Sequence, residues 1–322
     1  HGRSNIYDLK YQKPVPVVSR SSSFEVNERL LADGSVHTPL DQAEIERTLI
    51  PQLRDGKYRA VAICLLNAYV NPEHEQALRS LIAQHLPDIN ITLSSDVTRE
   101  FREYERASTT TLSAYVQPVM DRYVSRFAQR LTEAGFKGRF SVMQSNGGKL
   151  PAEAMRANAI TALLSGPAAG VIGAARQVAR SAFNNLITLD IGGTSSDVCV
   201  VVDGKPQLTN EFLIDGLPVR IPQLDINTIG AGGGSLIWID DGGMLRVGPE
   251  SAGASPGPAC YGRGGTRPTI TDAHVVRGTI LPEAFLGGQM TIDAQQARDA
   301  IEPIARHFGM TVEEAADSAI QL

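Results

Sequence analysis

The chain has 322 residues, enough for about two domains at roughly 150 residues each. Thirty Lys and Arg against 35 Asp and Glu leave a net charge of −5, so no basic field exists to hold nucleic acid, and 42% hydrophobic residues exclude wholesale disorder. No apolar run reaches the roughly 18 residues a membrane span needs, and Cys64, Cys199 and Cys260 cannot build a disulfide framework. These features describe a protein of the reducing cytoplasm with no nucleic-acid or membrane partner. The absent initiator Met and the abrupt charged start are read as marks of a fragment.

In chain order, Lys13-Pro14-Val15-Pro16 is expected to be extended, and Ala32-Asp33-Gly34-Ser35 to turn between strands Phe24–Val26 and Val36–Thr38. A short helix capped by Asp41 follows, with Ile45, Leu49 and Ile50 on one face. The continuous apolar run 60–66 reads as a strand covered on both faces. A helix from Pro72 to Leu86 carries Glu73 and Glu75 in its first turn, where the dipole favours acids, and a strand runs from Ile89 to Leu93. Strand, helix and strand predict an α/β layer.

The longest helical pattern covers 106–134, with Leu112, Tyr115, Val116, Val119, Tyr123 and Phe127 on one side. Pro118 is expected to kink it or to join two shorter helices, and Gly135 to end it. A strand over 140–143 leads into the turn Ser145-Asn146-Gly147-Gly148, and a small-residue helix follows Ser165-Gly166-Pro167 to about Arg180. Strands are then predicted at 186–191, 198–202, 211–214, 219–221, 235–239 and 244–247. Two helices close the chain, one burying Ala297, Ile301, Ile304 and Ala305, the other capped by Thr311.

Seventeen of the 30 glycines fall between Gly192 and Gly278 without a period, which suits a region of tight turns or of close backbone approach to a ligand. Several motif matches in the chain fail on physical grounds. Gly253-Ala254-Ser255-Pro256-Gly257 cannot be a nucleophile elbow, because Pro256 lacks the N–H that an oxyanion hole requires. Gly230-Ala231-Gly232-Gly233-Gly234-Ser235 is followed by a strand-like run where a dinucleotide fingerprint needs a helix. Gly148-Lys149-Leu150 lacks the rest of a P-loop, and His74-Glu75 lacks the second histidine of a zincin. The six histidines are scattered and read as solvated or satisfied.

One motif carries chemistry. In Ile187-Thr188-Leu189-Asp190-Ile191-Gly192-Gly193-Thr194-Ser195-Ser196-Asp197-Val198, an acid ends one strand, glycines and hydroxyls fill the bend, and a second acid opens the next strand. Glycines let backbone N–H groups approach phosphate oxygens, and Thr194, Ser195 and Ser196 can add hydroxyl donors. Asp190 would be repelled by phosphate, so its use would be to hold water on a Mg²⁺ ion or to orient an attacking water. An ordinary hairpin with a Gly-Gly turn is the plainer reading, and it needs fewer small residues.

This string resembles the second phosphate-binding hairpin of the actin-like ATPase superfamily, which includes acetate and sugar kinases and the heat-shock ATPases. Ser165-Gly166-Pro167-Ala168-Ala169-Gly170 sits where that superfamily has its interlobe connecting helix. Glu103-Tyr104-Glu105-Arg106, Ser145-Asn146-Gly147-Gly148, Gly230–Ser235, the run from Val247 to Gly262 and Pro268-Thr269-Ile270-Thr271-Asp272-Ala273 follow in order. Together they resemble the hydantoinase A/5-oxoprolinase family over essentially the whole chain.

The resemblance implies an α/β, two-lobed actin-like ATPase fold, truncated at both ends, with the C-terminal part of the N-terminal region over 1–104, the hydantoinase A domain over 105–322 and a lobe junction near 184. It implies ATP with Mg²⁺ as cofactors, and hydrolytic opening of a hydantoin or 5-oxoproline through phosphorylation of the ring amide oxygen. A B-type subunit or domain is the expected partner, and a homo-oligomer is possible. The related ketone carboxylases are the main rival reading; a partner-docking lobe without catalysis and a small-molecule kinase are others. Nothing like the family's first glycine-rich hairpin precedes His1, so these residues alone are expected to bind ATP weakly and to be inactive.

The expected phosphate cradle is Gly192, Gly193, Thr194, Ser195 and Ser196, with Asp190 in the catalytic and metal-water role. Gly232, Gly233, Gly234 and Ser235 form either a second cradle or a turn packed beneath the first. Asp197 is expected to brace the hairpin. Asp272 is a weak metal candidate, Asp225 a weak acidic one, and Cys260 is assigned no role.

Overall fold

A computed structural model describes Tyr7 and residues 15–181, 183–214 and 216–322; Lys13 and Pro14 of the expected extended start lie outside the described residues. The first half carries β1 (Arg29–Leu30), β2 (Val36–Thr38), α1 (Gln42–Asp55), β3 (Ala60–Ile63), α2 (Glu73–His85), β4 (Asn90–Leu93), α3 (Ser94–Val97) and α4 (Glu103–Glu133). Next come β5 (Ser141–Met143), β6 (Lys149–Pro151), α5 (Ala152–Ala157), α6 (Ser165–Val178), β7 (Leu186–Ile191), β8 (Ser196–Val202) and β9 (Lys205–Pro206). Short strands follow: β10 (Leu208–Thr209), β11 (Phe212–Ile214), β12 (Leu217–Val219) and β13 (Gln223–Leu224). The chain closes with β14 (Ile226–Ile229), β15 (Ser235–Ile239), β16 (Leu245–Ser251), α7 (Ile270–Val276), α8 (Ala294–Phe308) and α9 (Val312–Gln321).

The chain divides into two compact units, His1–Ala169 with Leu208–Leu224, and Gly170–Gln207 with Asp225–Leu322. The division falls at Gly170 rather than near 184. Residues 208–224 belong with the first unit because Val219 and Ile221 pack with Leu112 and Ile160, and the Arg220 N–H donates to Thr109 Oγ1 at 2.9 Å.

In the first unit β3 and β4 pair in parallel, Ala60 opposite Asn90 and Ile63 opposite Leu93, as the α/β expectation requires. Leu49, Leu53, Leu78 and Ile82 of α1 and α2 pack with Ile63 and Leu93, while α4 packs on the same two strands. Three expectations are corrected here. Val36–Thr38 pairs with Arg29–Leu30 instead of 24–26, with Asp33 accepting from the N–H and hydroxyl of Ser35 in the turn. Pro118 lies inside one helix of 31 residues and so does not join two shorter ones. The expected apolar face of α4 leaves Tyr115, Val119 and Tyr123 largely exposed, and the buried side is built from Arg106, Thr109, Thr110, Leu112, Ser113, Ala114, Gln117 and Val124.

That polar interior has a definite cause. Glu75 is fully buried, and its carboxylate accepts from Leu65 N at 2.9 Å, Ser94 Oγ at 2.6 Å, Ser95 N at 3.0 Å and Ser95 Oγ at 2.8 Å. Arg106, equally buried, donates to Ser94 Oγ and the Leu65 carbonyl, both at 2.7 Å, and to Glu103. The Glu75 lone pairs are matched on both oxygens, while Arg106 Nε has no partner among the described residues, and together these contacts hold the β3–α2–β4 layer to α4. Glu75 therefore serves the interior rather than the helix dipole alone.

The second unit is β-rich up to residue 251 and helical after it. β7 and β8 form a hairpin, and β14 extends it in the order β14-β8-β7, with β9 also paired to β8. β15 and β16 form a separate hairpin. The core joins Ile237, Cys260 and Ala273 to Ala297, Ile301, Ile304 and Ala305 of α8, and to Ala315, Ala316 and Ala319 of α9. The α8 face is the one its spacing predicts, and Thr311 caps α9 in a capping box with Glu314. Among the described residues no helix is long and apolar enough to cross a membrane, and the three cysteines are free thiols.

Candidate functional site

The motif-bearing hairpin folds as a long antiparallel pair in which Leu189 faces Val198, Asp190 faces Asp197 and Ile191 faces Ser196. Four residues remain for the bend, and Gly192 N–H closes it on the Ser195 carbonyl at 2.8 Å. Gly192, Gly193 and Thr194 are exposed and Ser195 is half-buried. The exposed Asp190 carboxylate makes no hydrogen bond or ion pair among the described residues, and a Cβ built on Gly170 of α6 would sit 3.9 Å from its Oδ2. Asp197 accepts from Thr228 Oγ1 at 2.7 Å, so it ties β8 to β14.

The second glycine-rich segment lies against this bend. Gly233 N–H donates to the Gly192 carbonyl at 3.1 Å and Gly234 N–H to the Gly193 carbonyl at 2.6 Å. A Cβ on Gly232 would come 2.7 Å from the Gly192 carbonyl oxygen, and one on Gly234 would come 2.8 Å from that of Gly193. Such distances admit no side chain, so glycine is required at both positions for the two segments to touch. Ser235 is buried and its Oγ accepts from Gly232 N–H at 2.9 Å, while Thr271 donates both N–H and hydroxyl to the Gly233 carbonyl at 2.7 Å. Of the two readings for 232–235, this geometry is that of a turn bracing the first loop.

Gly193 stands in contrast. A Cβ there meets nothing within 4 Å, and its φ lies outside the left-handed region. Among the described residues neither packing nor a left-handed φ calls for glycine at that position, and the space above it is open.

Three expected site residues are placed elsewhere in the fold's economy. Ser196 is buried and donates its hydroxyl to the Ala231 carbonyl at 2.6 Å, so it clamps the two loops together and offers no free donor. Asp272 is fully buried and accepts from Cys260 N at 2.8 Å, Ala259 N at 3.2 Å, and Thr269 N and Oγ1 at 2.9 and 2.8 Å. Its lone pairs are committed to capping α7 and holding the 259–260 turn, which corrects its candidacy as a metal ligand. Cys260 beside it has its thiol pushed far up by burial, with the Asp272 carboxylate adding to the shift. Asp225 is exposed and stands outside this cluster.

The reading of all histidines as solvated or satisfied fails at one residue. His274 has a buried Nδ1 with no hydrogen-bond partner among the described residues, and burial, followed by the Arg277 guanidinium, holds its pKa below the ordinary value. Thr271, the brace under Gly233, was not singled out from the sequence as a residue with a role; the only signal there was its place beside Asp272.

The profile of the hydantoinase/oxoprolinase family matches residues 106–322, and that of the hydantoinase/oxoprolinase N-terminal region matches residues 1–86. Caprolactamase subunit alpha of Pseudomonas jessenii is 38% identical over 317 residues, covering 98% of this chain and 45% of the relative. A nucleotide-free structure of acetone carboxylase, from work on ATP-dependent acetone carboxylation, matches 96% of this chain and 44% of its own with a TM-score of 0.83 at 32% identity. The crystal structure of the ATP-dependent caprolactamase from Pseudomonas jessenii matches 98% of this chain and 46% of its own, with a TM-score of 0.76 at 39% identity. The chain spans a little under half the length of these relatives. It belongs to the hydantoinase/oxoprolinase family.

Proposed function

We propose that this chain supplies a phosphate-gripping hairpin to an ATP-dependent enzyme that opens a cyclic amide of the hydantoin or 5-oxoproline type, as the A-type component of an actin-like ATPase fold working with a B-type partner. The observation that carries this reading is Gly193: an exposed glycine, free of steric or conformational cause, on a loop that an interlocked second loop holds in place. Glycine costs backbone entropy, and a ligand whose oxygens come close to the backbone gives it a use.

The residues suit Mg²⁺-ATP. Magnesium is commonly held by one or two carboxylates together with phosphates and waters, and Asp190 offers an uncommitted hard oxygen donor beside the bend. Among the described residues no group of three or more His, Cys, Asp or Glu forms a cage, which fits an ion carried in with the nucleotide. Bound ATP would supply a phosphoryl group to the ring amide oxygen, converting a poor electrophile into one with phosphate as leaving group. In this reading Gly192 and Gly193 bring backbone near phosphate oxygens, the Thr194 and Ser195 hydroxyls add donors, and Asp190 orients metal-bound or attacking water.

The test is ADP release by the assembled enzyme over a panel of hydantoins, 5-oxoproline, lactams, and ketones with bicarbonate. Stimulation by a cyclic amide, abolished by Asp190→Ala with partner docking intact, is expected. Stimulation only by a ketone with bicarbonate would establish the second reading, a carboxylase component, which the similarity to acetone carboxylase favours.

A further inference from the structure

The carbonyl and the N–H of one trans peptide point in opposite directions, so a hydrogen bond at one end aims the other. Every peptide of segments 192–194 and 232–235 is trans. The Gly192 carbonyl accepts from Gly233 N–H at 3.1 Å, which turns the Gly193 N–H of the same peptide away from the second glycine segment. The Gly193 carbonyl accepts from Gly234 N–H at 2.6 Å, which turns the Thr194 N–H away in the same sense. Both outward N–H groups belong to exposed residues, and neither has a hydrogen-bond partner among the described residues. Their aim therefore depends on what fixes the 232–235 segment.

One peptide further back, the Gly234 N–H shares its plane with the Gly233 carbonyl, and that carbonyl accepts from the N–H and the hydroxyl of Thr271, each at 2.7 Å. Two donors on one oxygen hold the plane against rotation. Thr271 is only 8% exposed, and α7 around it is anchored by the Thr269–Asp272 capping box and by Ala273, Val275 and Val276 in the core with α8 and α9. We propose that Thr271 is a positioning residue for the phosphate-gripping bend: through the 233–234 and 193–194 peptides, its hydroxyl sets the direction of an N–H that faces the nucleotide. The inference rests on the proposed function and extends it to a buried residue that acts through the bend. Any residue at 271 other than proline supplies the N–H, so the side chain's own contribution is the hydroxyl. A Cβ on Gly233 would come 2.9 Å from Thr271 Oγ1, so the absent side chain of one residue makes room for the hydroxyl of the other. Thr271→Val removes the donor and sets a methyl group where the oxygen sits 2.7 Å from the carbonyl, nearer than the roughly 3.3–3.6 Å of a carbon–oxygen contact, so the peptide must tilt. Thr271→Ser keeps the donor and removes only the methyl.

Steady-state ADP release from Mg²⁺-ATP by the assembled enzyme tests it, driven by the most effective of a hydantoin, 5-oxoproline, a lactam, or a ketone with bicarbonate. The unaltered protein, Thr271→Val, Thr271→Ala and Thr271→Ser are compared below their melting midpoints. Thr271→Val should lower kcat/KM for ATP roughly 10- to 100-fold with the KM of the second substrate unchanged within about twofold, and Thr271→Ser should restore it to within about threefold. Thr271→Ala lacks the hydroxyl and adds no bulk, so it carries the same comparison if Thr271→Val does not fold, with a loss of about tenfold or more expected. A lower melting temperature with unchanged ATP kinetics would reduce Thr271 to a purely structural part and overturn the proposal, as would equal losses in Thr271→Ser and Thr271→Val. Absence of ADP release from the unaltered enzyme with every one of these substrates would refute the proposed function itself, and the inference falls with it.

Discussion

Asp190 and Asp197 stand directly opposite one another across the β7–β8 hairpin, two carboxylates at one rung of the ladder. Asp197 has Thr228 as a hydrogen-bond partner, whereas Asp190 has none among the described residues. Like charges at facing positions oppose strand pairing, so this rung weakens the hairpin on which the bend is mounted. Asp190→Asn should therefore stabilise the fold by about 0.2–1 kcal/mol at low salt and, under the proposed function, abolish ATP turnover in the assembled enzyme. The gain should shrink in 1 M salt, where exposed charges are screened. Urea titrations at the two ionic strengths read it, and a destabilised variant would contradict the argument.

The two glycine segments make opposite predictions under one substitution. Gly234→Ala drives a methyl group against the Gly193 carbonyl, so the loops must separate at a cost of about 1–3 kcal/mol. Gly193→Ala meets nothing within 4 Å and should leave the melting temperature unchanged, yet under the proposed function raise the KM for ATP by crowding the phosphates. Thermal melts paired with nucleotide kinetics separate the effects. Equal loss of stability in both variants would remove the distinction between brace and cradle.

Legibility differed between these features for physical reasons. The α8 face, the Thr311 cap and the parallel β3–β4 pair follow from local periodicity and capping chemistry, which a sequence displays directly. The orientation of α4 did not, because Leu112, Ala114 and Val124 are outnumbered on the buried side by Arg106, Thr109, Thr110, Ser113 and Gln117, and Arg106 and Thr109 find partners 12 to 111 positions away. The same holds for Glu75, placed in a first turn by its position and drawn inside by Ser94, Ser95 and the Leu65 N–H. The bend's composition was visible, but the assignment of Ser196 and Ser235 to bracing depends on which carbonyl each reaches.

Asp272 and Cys260 form a structural pair with a chemical consequence. With the thiol buried and facing a carboxylate, almost no thiolate exists near neutrality, and the thiolate is the reactive form. Iodoacetamide at pH 8 should leave Cys260 unlabelled in the native protein and label it only on unfolding, as peptide mass spectrometry would show. Asp272→Asn should cost about 3 kcal/mol, because an amide NH₂ would face the N–H groups of Ala259, Cys260 or Thr269. A Mg²⁺-dependent rise in melting temperature that vanished in Asp272→Asn would return the residue to the metal site.

His274 gives the second unit one step in its pH response. Its imidazole binds a proton less readily folded than unfolded, because burial and the Arg277 guanidinium disfavour the cation. The unfolded chain therefore takes up more protons as pH falls, so the contribution is complete above the ordinary value near 6.5 and is lost as pH drops through the folded pKa below it. Asp293 adds a loss of the same sign at lower pH, since the N–H of Gln296 and its side chain hold that carboxyl below the usual range, and Asp240, Glu250, Glu313 and Glu314, each lowered by its own hydrogen bonds, act with it. Urea midpoints measured from pH 7.5 down to 3.5 should show two declines, one starting near 6.5 and one near 4. His274→Gln should flatten the first and leave the second. A first decline that survives His274→Gln would place the titrating group elsewhere.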